Sequence, residues 1–404
     1  MKRLLCVYQH APTPGAPGIY RHRQLFAELV RRGWHVDVVS TPRNYMSGRV
    51  PEQYRRRPLK HEMIEGIHHH WVWAPGGIHR SVRHRLANYA GFAAAAAARA
   101  ATLARPDVVY VSSPPLSVAP LGPVLARRYR RRWLLEIRDI WPESAAAVGW
   151  LPAESRAYRA AGGLARRITT AADAVVVPTP GLVPLVRNHG ARDITVVNGV
   201  VVERIFHRSE RAAARAALEV APDERVFLYL GAIGVANGLD MLLDAVEQLP
   251  ADVRAHILIV GDGSARPALE REIARRRLAR VRLLPPVAKN ETIPLLAAAD
   301  VGLHLLRPDP VFESALPTKV LEYLGAGLPF ITTVSGLPAQ VAKQSAGGTV
   351  TDATSLSDEL RRWASLSPGD LADAGRRARR YGVTEFGLDR TANRLEELLL
   401  RLST

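Results

Sequence analysis

The run E-S-A-L-P-T-K-V-L-E-Y-L-G-A-G-L-P at 313–329 sets Lys319 and Glu322 three residues apart, behind Pro317 and ahead of a glycine turn. Residues three apart share one face of a helix. Pro317 suits a loop or a first helical turn, and Thr318 is a candidate cap. Lys319 then stands at the positive end of a helix dipole, where a lone cation is disfavoured. A phosphate placed there would balance it, held by the amides and the ammonium together. Glu322 could accept two hydroxyls, as from a ribose 2′,3′-diol. The plainer alternative is a capping box with a solvated ion pair. Pro317, Lys319, Glu322, Tyr323, Gly327 and Pro329 in one run make that alternative less attractive.

Three further constellations could carry chemistry. Gly231, Gly234 and Gly238 follow one apolar run, and Gly261-Asp262-Gly263 follows the next. Glycine lets backbone approach a phosphate closely, so two such turns at successive strand ends suit a nucleotide. A tight turn with Asp262 as helix cap is the alternative. Gly15-Ala16-Pro17-Gly18 is a weaker signal of the same kind. Arg138-Asp139-Ile140-Trp141-Pro142-Glu143-Ser144 sets a guanidinium and two carboxylates behind a buried-looking run ending at Ile137. His68-His69-His70 resembles a metal cluster, but a strand sends successive side chains to opposite faces. No second ligand group is spaced with it, so no metal site is expected.

The elements that must hold these residues read as two series of βαβ units. Apolar runs at 2–8, 34–40, 106–112, 133–137, 172–179 and 194–197 alternate with helical stretches such as 20–32 and 120–132. A second series runs through 225–231, 256–263, 281–284, 300–305 and 329–333, with helices at 238–248 and 265–277. Continuous apolar strands between helices predict parallel sheets covered on both faces. The expected fold is therefore α/β, two Rossmann-like doubly wound domains facing across a cleft, with the boundary in the polar connector 200–222.

Length and charge agree. A chain of 404 residues exceeds one ordinary core. Residues 1–200 hold 29 Lys and Arg against 12 Asp and Glu, while residues 201–404 hold 26 of each, so the whole net charge of +17 lies in the first half. Clusters stand at Arg55–Arg57 and at Arg127, Arg128, Arg130, Arg131 and Arg132. They read either as a solvated face or as a surface for anionic lipid or an anionic ligand. Nucleic acid is disfavoured, because no aromatic stacking series interleaves the basic residues. Cys6 is the single cysteine, so no internal disulfide exists and a reducing cytoplasm is expected. The first residues are too short an apolar run for a signal peptide, and no run reaches membrane-spanning length. The run Ala93–Ala98 is read instead as a tightly packed helix.

At these residues the sequence resembles the retaining GT-B glycosyltransferases of family 4, and within them the WbuB-like subgroup of 6-deoxyhexosamine transferases. The resemblance rests on P-G-A-P-G-x-x-R at the first loop, S-S-P-P-L at 112–116 and R-D-I-W-P-E-S at 138–144. It also rests on N-G-V at 198–200, G-x-I-G-x-A-x-G at 231–238, G-D-G at 261–263 and P-T-K-x-x-E-Y-L-x-x-G-x-P at 317–329. It implies an acceptor-binding domain at 1–200, a donor-binding domain at 201–385, and a last helix at 386–404 packing back on the first domain. It implies a nucleoside diphosphate sugar, UDP-linked, as donor and no cofactor. The acceptor would be a small molecule or a lipid-linked hydroxyl.

By the same resemblance, Lys319, Arg138 and Asp139 would be catalytic. Gly15, Gly18, Gly231, Asn237, Gly261, Gly263, Ser314, Thr318, Lys319 and Glu322 would bind the donor, and Glu143 and Ser113 the acceptor. Two departures stand out. Ser314, with Glu313 beside it, occupies the place of the family's first glutamate. Ala232 and Asn237 replace an Arg and a Lys, so Lys319 and Arg138 would take over the diphosphate charge, with Arg21 or Arg23 in reserve. The rival readings are a nucleotide-sugar 2-epimerase, a transferase with a soluble natural-product acceptor, and a sugar-nucleotide-binding protein without catalysis. The chain is expected in the cytoplasm, peripheral to the inner face of an anionic membrane.

Overall fold

The computed structural model describes residues 1–404 apart from 17, 19, 46, 47, 56, 57, 77–80 and 148–150, and only the backbone of 310 and 311. Pro17 of the first glycine loop, and Arg56 and Arg57 of the first arginine cluster, lie outside the described residues. The chain forms two compact units, Met1–Val200 with Leu388–Thr404, and Val201–Gly387.

The first unit is built on β1 (Arg3–Val7), β2 (His35–Ser40), β3 (Leu59–Ile64), β4 (Ile67–Val72), β5 (Val108–Ser113), β6 (Trp133–Ile137), β7 (Ala174–Val177) and β8 (Ile194–Val196). They form one sheet in the order β3-β4-β2-β1-β5-β6-β7-β8. All neighbours are parallel except the β3–β4 hairpin. Strand period two sorts the side chains into two cores. Leu4 and Cys6 face one with Leu25, Phe26 and Leu29, and Leu5 and Val7 face the other with Phe92, Ala96 and Ala100. The alanine run thus belongs to a helix, Val82–Ala101, whose small side chains let it lie close on the sheet. The helix Leu388–Leu402 returns to this unit and places Leu395, Leu398, Leu399 and Leu402 in the first core. Trp34 Nε1 donates to its Glu396 at 3.0 Å.

The second unit is built on β9 (Arg225–Leu230), β10 (Ala255–Val260), β11 (Val281–Leu284), β12 (Val301–His304), β13 (Phe330–Thr332) and β14 (Gly348–Val350). The order is β11-β10-β9-β12-β13-β14, parallel throughout. Numbered within the unit this is 3-2-1-4-5-6, the doubly wound order. Strand order reverses between β1 and β5 in the first unit and between β9 and β12 in the second. Ligands of such sheets bind at the carboxyl ends of the strands at those points.

Candidate functional site

In the second unit, Tyr323 fixes the helix Thr318–Ala326 at the switch point. β9 and β12 pair only through Val301–Phe227 and Gly302–Leu228 before they diverge. The buried Tyr323 hydroxyl fills the gap: it donates to Leu228 O at 2.9 Å, lies 3.2 Å from Leu303 O, and accepts from Leu230 N at 3.3 Å. A Cβ on Gly302 would stand 2.5 Å from the Tyr323 ring, so only glycine admits this packing. The aromatic ring therefore sets where the helix begins.

That beginning is Pro317, which serves as the N-cap without a side-chain hydrogen bond. Thr318 is the first helical residue and does not cap, so the capping-box alternative fails. Lys319 is half-buried, with Nζ 3.7 Å from the centroid of the Tyr229 ring. Its Cε and Nζ lie 3.3 Å from where a Gly231 Cβ would be. Among the described residues its ammonium has no hydrogen bond or ion pair. Burial lowers its pKa to about 7, against the opposing pull of Glu322. The site holds a cation that is under-compensated, and an anion there would restore its charge.

The glycine turns form the floor beside it. A Cβ on Gly261 would meet Gly231 O at 1.8 Å, and one on Gly263 would meet Ile233 O at 2.3 Å. The turns after β9 and β10 are laced together, with Ile233 N donating to Asp262 O at 2.9 Å and Ala265 N to Ile233 O at 2.9 Å. Asp262 accepts from the neighbouring Gly263 N at 2.8 Å and does not cap the helix Arg266–Arg275. Asn237, expected at the donor, spends its side-chain oxygen on Gly234 N at 3.0 Å. It shapes the turn, and that oxygen is closed to a ligand. Ser314 is half-buried on the segment leading into the Thr318–Ala326 helix.

Glu322 corrects another expectation. Its ion-pair partner is Lys289, on the turn after β11, rather than Lys319. Sequence reasoning missed Lys289, 33 positions away, because nothing local pairs the two. It also missed His304 at the end of β12. This buried imidazole donates or accepts at Nδ1 with Thr332 Oγ1 at 3.0 Å, and its Nε2 has no partner among the described residues. Burial, with Lys319 adding to it, pushes its pKa down to about 3, so it is neutral.

In the first unit the hub is a residue the sequence did not flag, Glu136 on β6. It is fully buried and bonded to Arg21 Nη1, His22 Nε2 and Ser112 Oγ. Burial pushes its carboxyl up, but His22 and Arg21 outweigh this and hold it well below the usual carboxylate range. Arg138 lies 3.9 Å from it. Arg138 Nε donates to Ser112 Oγ at 3.1 Å and an Nη to Pro114 O at 3.1 Å, with the guanidinium 4.7 Å over the Tyr8 ring. Arg138 is therefore held at the carboxyl end of β6 with its orientation fixed.

The other first-unit expectations fare differently. Ser113, expected at the acceptor, is buried, and its carbonyl accepts from Arg138 N at 3.0 Å. Its neighbour Ser112 joins the network, because successive strand side chains face opposite ways. Arg21 is no reserve cation: it is spent on Glu136, Val197 O and Asn198 O. Arg23 holds Pro12 O at 2.9 Å. Asp139 is exposed and bonded to Ser144 Oγ. Glu143 accepts from His189 Nε2 at 2.9 Å, and that bond lowers its pKa. Gly15, at φ 75°, and Gly18 lie in the loop after β1; a Cβ on Gly15 would meet none of the described residues, and Gly18 lies against Pro12. The candidate residues thus fall into two sets, one at the switch-point end of each sheet.

Residues 18–199 match the family described as Glycosyl transferase 4-like domain, and residues 224–365 that described as Glycosyl transferases group 1. The chain is 26% identical over 236 residues to a probable glycosyltransferase, WbjE, of Pseudomonas aeruginosa, which covers 57% of this chain and 58% of WbjE. The chain spans about half the length of the curated relatives it matches. Its fold is that of sucrose-phosphate synthase from Thermosynechococcus elongatus, with a TM-score of 0.78, 18% identity, and 100% and 99% of the two chains covered. HepE of Anabaena, in complex with UDP-glucose, matches with a TM-score of 0.72 and 18% identity over 100% of both chains. The architecture is that of GT-B structures.

Proposed function

We propose, from the premise that this chain belongs to the 4-like and group 1 glycosyl transferases, that it moves a sugar from a UDP-linked donor to a hydroxyl acceptor. The second unit binds the donor and the first the acceptor. The reaction retains anomeric configuration and needs no metal. The subgroup resemblance adds an N-acetylated or 6-deoxy hexose as the sugar. UDP follows the UDP-glucose held by HepE.

The observation that carries this reading is Lys319. A half-buried ammonium with no ion pair among the described residues, pressed on Tyr229 at a helix start without a side-chain cap, keeps its charge poorly until an anion arrives. A diphosphate is such an anion. Gly261 and Gly263 keep the neighbouring turns flat enough for the rest of the nucleotide, and Glu322, released from Lys289, accepts the ribose hydroxyls. When the bond from the anomeric carbon to the diphosphate breaks, its electron pair goes to the phosphate oxygen. Lys319 and the first-turn amides stabilise that charge. The acceptor hydroxyl attacks from the face the diphosphate leaves, and its proton passes to the departing oxygen. Arg138 and Asp139 orient the acceptor. Lys319 and the first-turn amides are the groups proposed to take the diphosphate charge in place of a metal. Among the described residues the group fit to hold a metal is His35, Asp37 and His68, at the amino ends of β2 and β4.

The test is calorimetric. Lys319→Met should keep its fold and weaken UDP binding by about 1.5–3 kcal/mol, the range for a hydrogen bond to a charged group. Unchanged affinity in the folded variant would overturn the reading. Turnover of UDP-sugars with and without a lipid acceptor separates transfer from mere binding.

The lipid-linked acceptor draws on a second observation. Trp73, Val82 and Leu86 are 55%, 64% and 61% exposed, and the exposed Arg83 follows Val82 in the chain, on elements that come after the carboxyl end of β4. That is the end of the sheet where Arg138 stands. No helix among the described residues is long and apolar enough to cross a membrane, so the contact proposed is peripheral.

A further inference from the structure

We propose that the first unit carries a binding site for a divalent transition-metal ion of the zinc class, formed by His35, Asp37 and His68. Their ligand atoms lie within 4.8 Å of one another. Zn²⁺ bonds of about 2.0–2.2 Å set tetrahedral donors roughly 3.4 Å apart, so the donors must draw together and the stacked His35 and His68 rings must turn to close the site. The placement follows from strand register. β2 and β4 are parallel neighbours with Asp37 opposite His68, and His35 lies on the same face two residues earlier. The His run alone lacks a partner in sequence, and the sheet supplies one from 31 to 33 residues away.

Two features mark these side chains as a built cluster. The first is outer support. Asp37 Oδ1 accepts from His70 Nε2 at 2.8 Å, and His70 Nδ1 in turn accepts from Arg99 at 3.0 Å. This chain turns Oδ2 toward His35 Nε2, 2.9 Å away. The His35 and His68 rings stack at 4.4 Å, and His61 Nε2, on β3, lies 3.1 Å from His68 Nδ1 as a further imidazole in reach.

The second is a conflict that a central cation would resolve. His35 Nε2 lies 2.8 Å from Arg3 Nη2 as well as 2.9 Å from Asp37 Oδ2. One ring nitrogen either accepts from Arg3 or donates to Asp37, and cannot do both. If it accepts, two lone pairs converge with the Arg3 guanidinium, 3.6 Å from Asp37, as the cation serving both. A divalent ion bonds both at once. Arg3 is one-third exposed and stands where the ion would bind, so it competes with it. The site is at the amino ends of β2 and β4, opposite the end of the sheet that holds Arg138. It would clamp two strands and take no part in transfer.

The test uses the full chain without any histidine tag. Zn²⁺ is titrated against a chromophoric chelator, and melting is followed with ZnCl₂ and with EDTA. One Zn²⁺ per chain should bind, with a melting temperature raised by Zn²⁺ and returned by EDTA. Sugar transfer should be unchanged in EDTA. His68→Ala should weaken Zn²⁺ binding by about tenfold or more. Arg3→Gln should strengthen it, which a merely sticky histidine patch would not do. Both residues are partly exposed, so these variants keep the fold and stay informative even if His35→Gln does not. Absence of binding, or binding indifferent to His68→Ala and Arg3→Gln, overturns the proposal.

Discussion

Lys319 and Glu322 began as an i,i+3 pair and end as parts of two different balances. The Lys319 ammonium is set against the Tyr229 ring, and burial brings its pKa to about 7. A diphosphate would raise that value again. Between pH 7 and the ordinary lysine pKa of about 10.4, binding should therefore take up protons, and affinity should fall as pH rises. Calorimetry at pH 8 in buffers of different ionisation enthalpy reads the uptake directly. Lys319→Met should show none. Glu322 is one-fifth exposed and tied to Lys289. Glu322→Ala should weaken UDP binding by about 1.5–3 kcal/mol through loss of charge-assisted hydrogen bonds. A folded Glu322→Ala protein with normal UDP affinity would leave the carboxylate a partner of Lys289 and nothing more.

The elements carry these residues by features that look structural. Tyr323 ties the Thr318–Ala326 helix to the parting strands, and Gly261 and Gly263 let two turns pack backbone to backbone. In the first unit Glu136 does the corresponding work for β6, joining Arg21, His22, Ser112 and, at longer range, Arg138. Because its folded pKa is depressed, its contribution is present above the ordinary glutamate value of about 4.3 and is lost as pH falls through the folded value. Glu136→Gln leaves Arg21 buried without its counter-charge. It should cost about 3–5 kcal/mol in denaturant unfolding, most of it in the first unit. A loss below 1 kcal/mol would mean that water or another group takes up the Arg21 charge.

Across the whole molecule the charge is uneven, +17 in residues 1–200 and zero in the rest. The last helix adds three charges of each sign and leaves the first unit unchanged in net charge. The cluster Arg127–Arg132 lies at the amino end of β6, with Arg138 at the other end, about 20 Å along the strand direction. A membrane touching that cluster would lie at the wrong edge of the sheet for a lipid-linked acceptor. Wild-type protein should co-sediment with anionic vesicles at low salt and be released at high salt. Trp73→Ser with Leu86→Ser should reduce binding more than Gln at Arg127, Arg128 and Arg130. If the wild type ignores anionic vesicles, the soluble acceptor becomes the better reading.

Composition and period determined much of this protein by themselves. Apolar runs alternating with amphipathic stretches bury their surfaces as parallel sheets under helices, so the two α/β units and most strands were legible; the polar, antiparallel β3–β4 hairpin and the short β14 were not. Glycine turns and the P-T-K-x-x-E-Y run were legible because backbone approach and helix polarity are local matters. Tertiary structure decided every pairing between distant residues. Lys289 reaches Glu322, Glu136 gathers Arg21 and His22, and His35 with Asp37 meets His68 only through strand register. It also decided which side chains stay available: Asn237 and Arg21 are spent on backbone and neighbours, while Lys319 is left with a ring beneath it. Local spacing fixes which way a side chain leaves its own element, and only the packing of other elements fixes what it meets there.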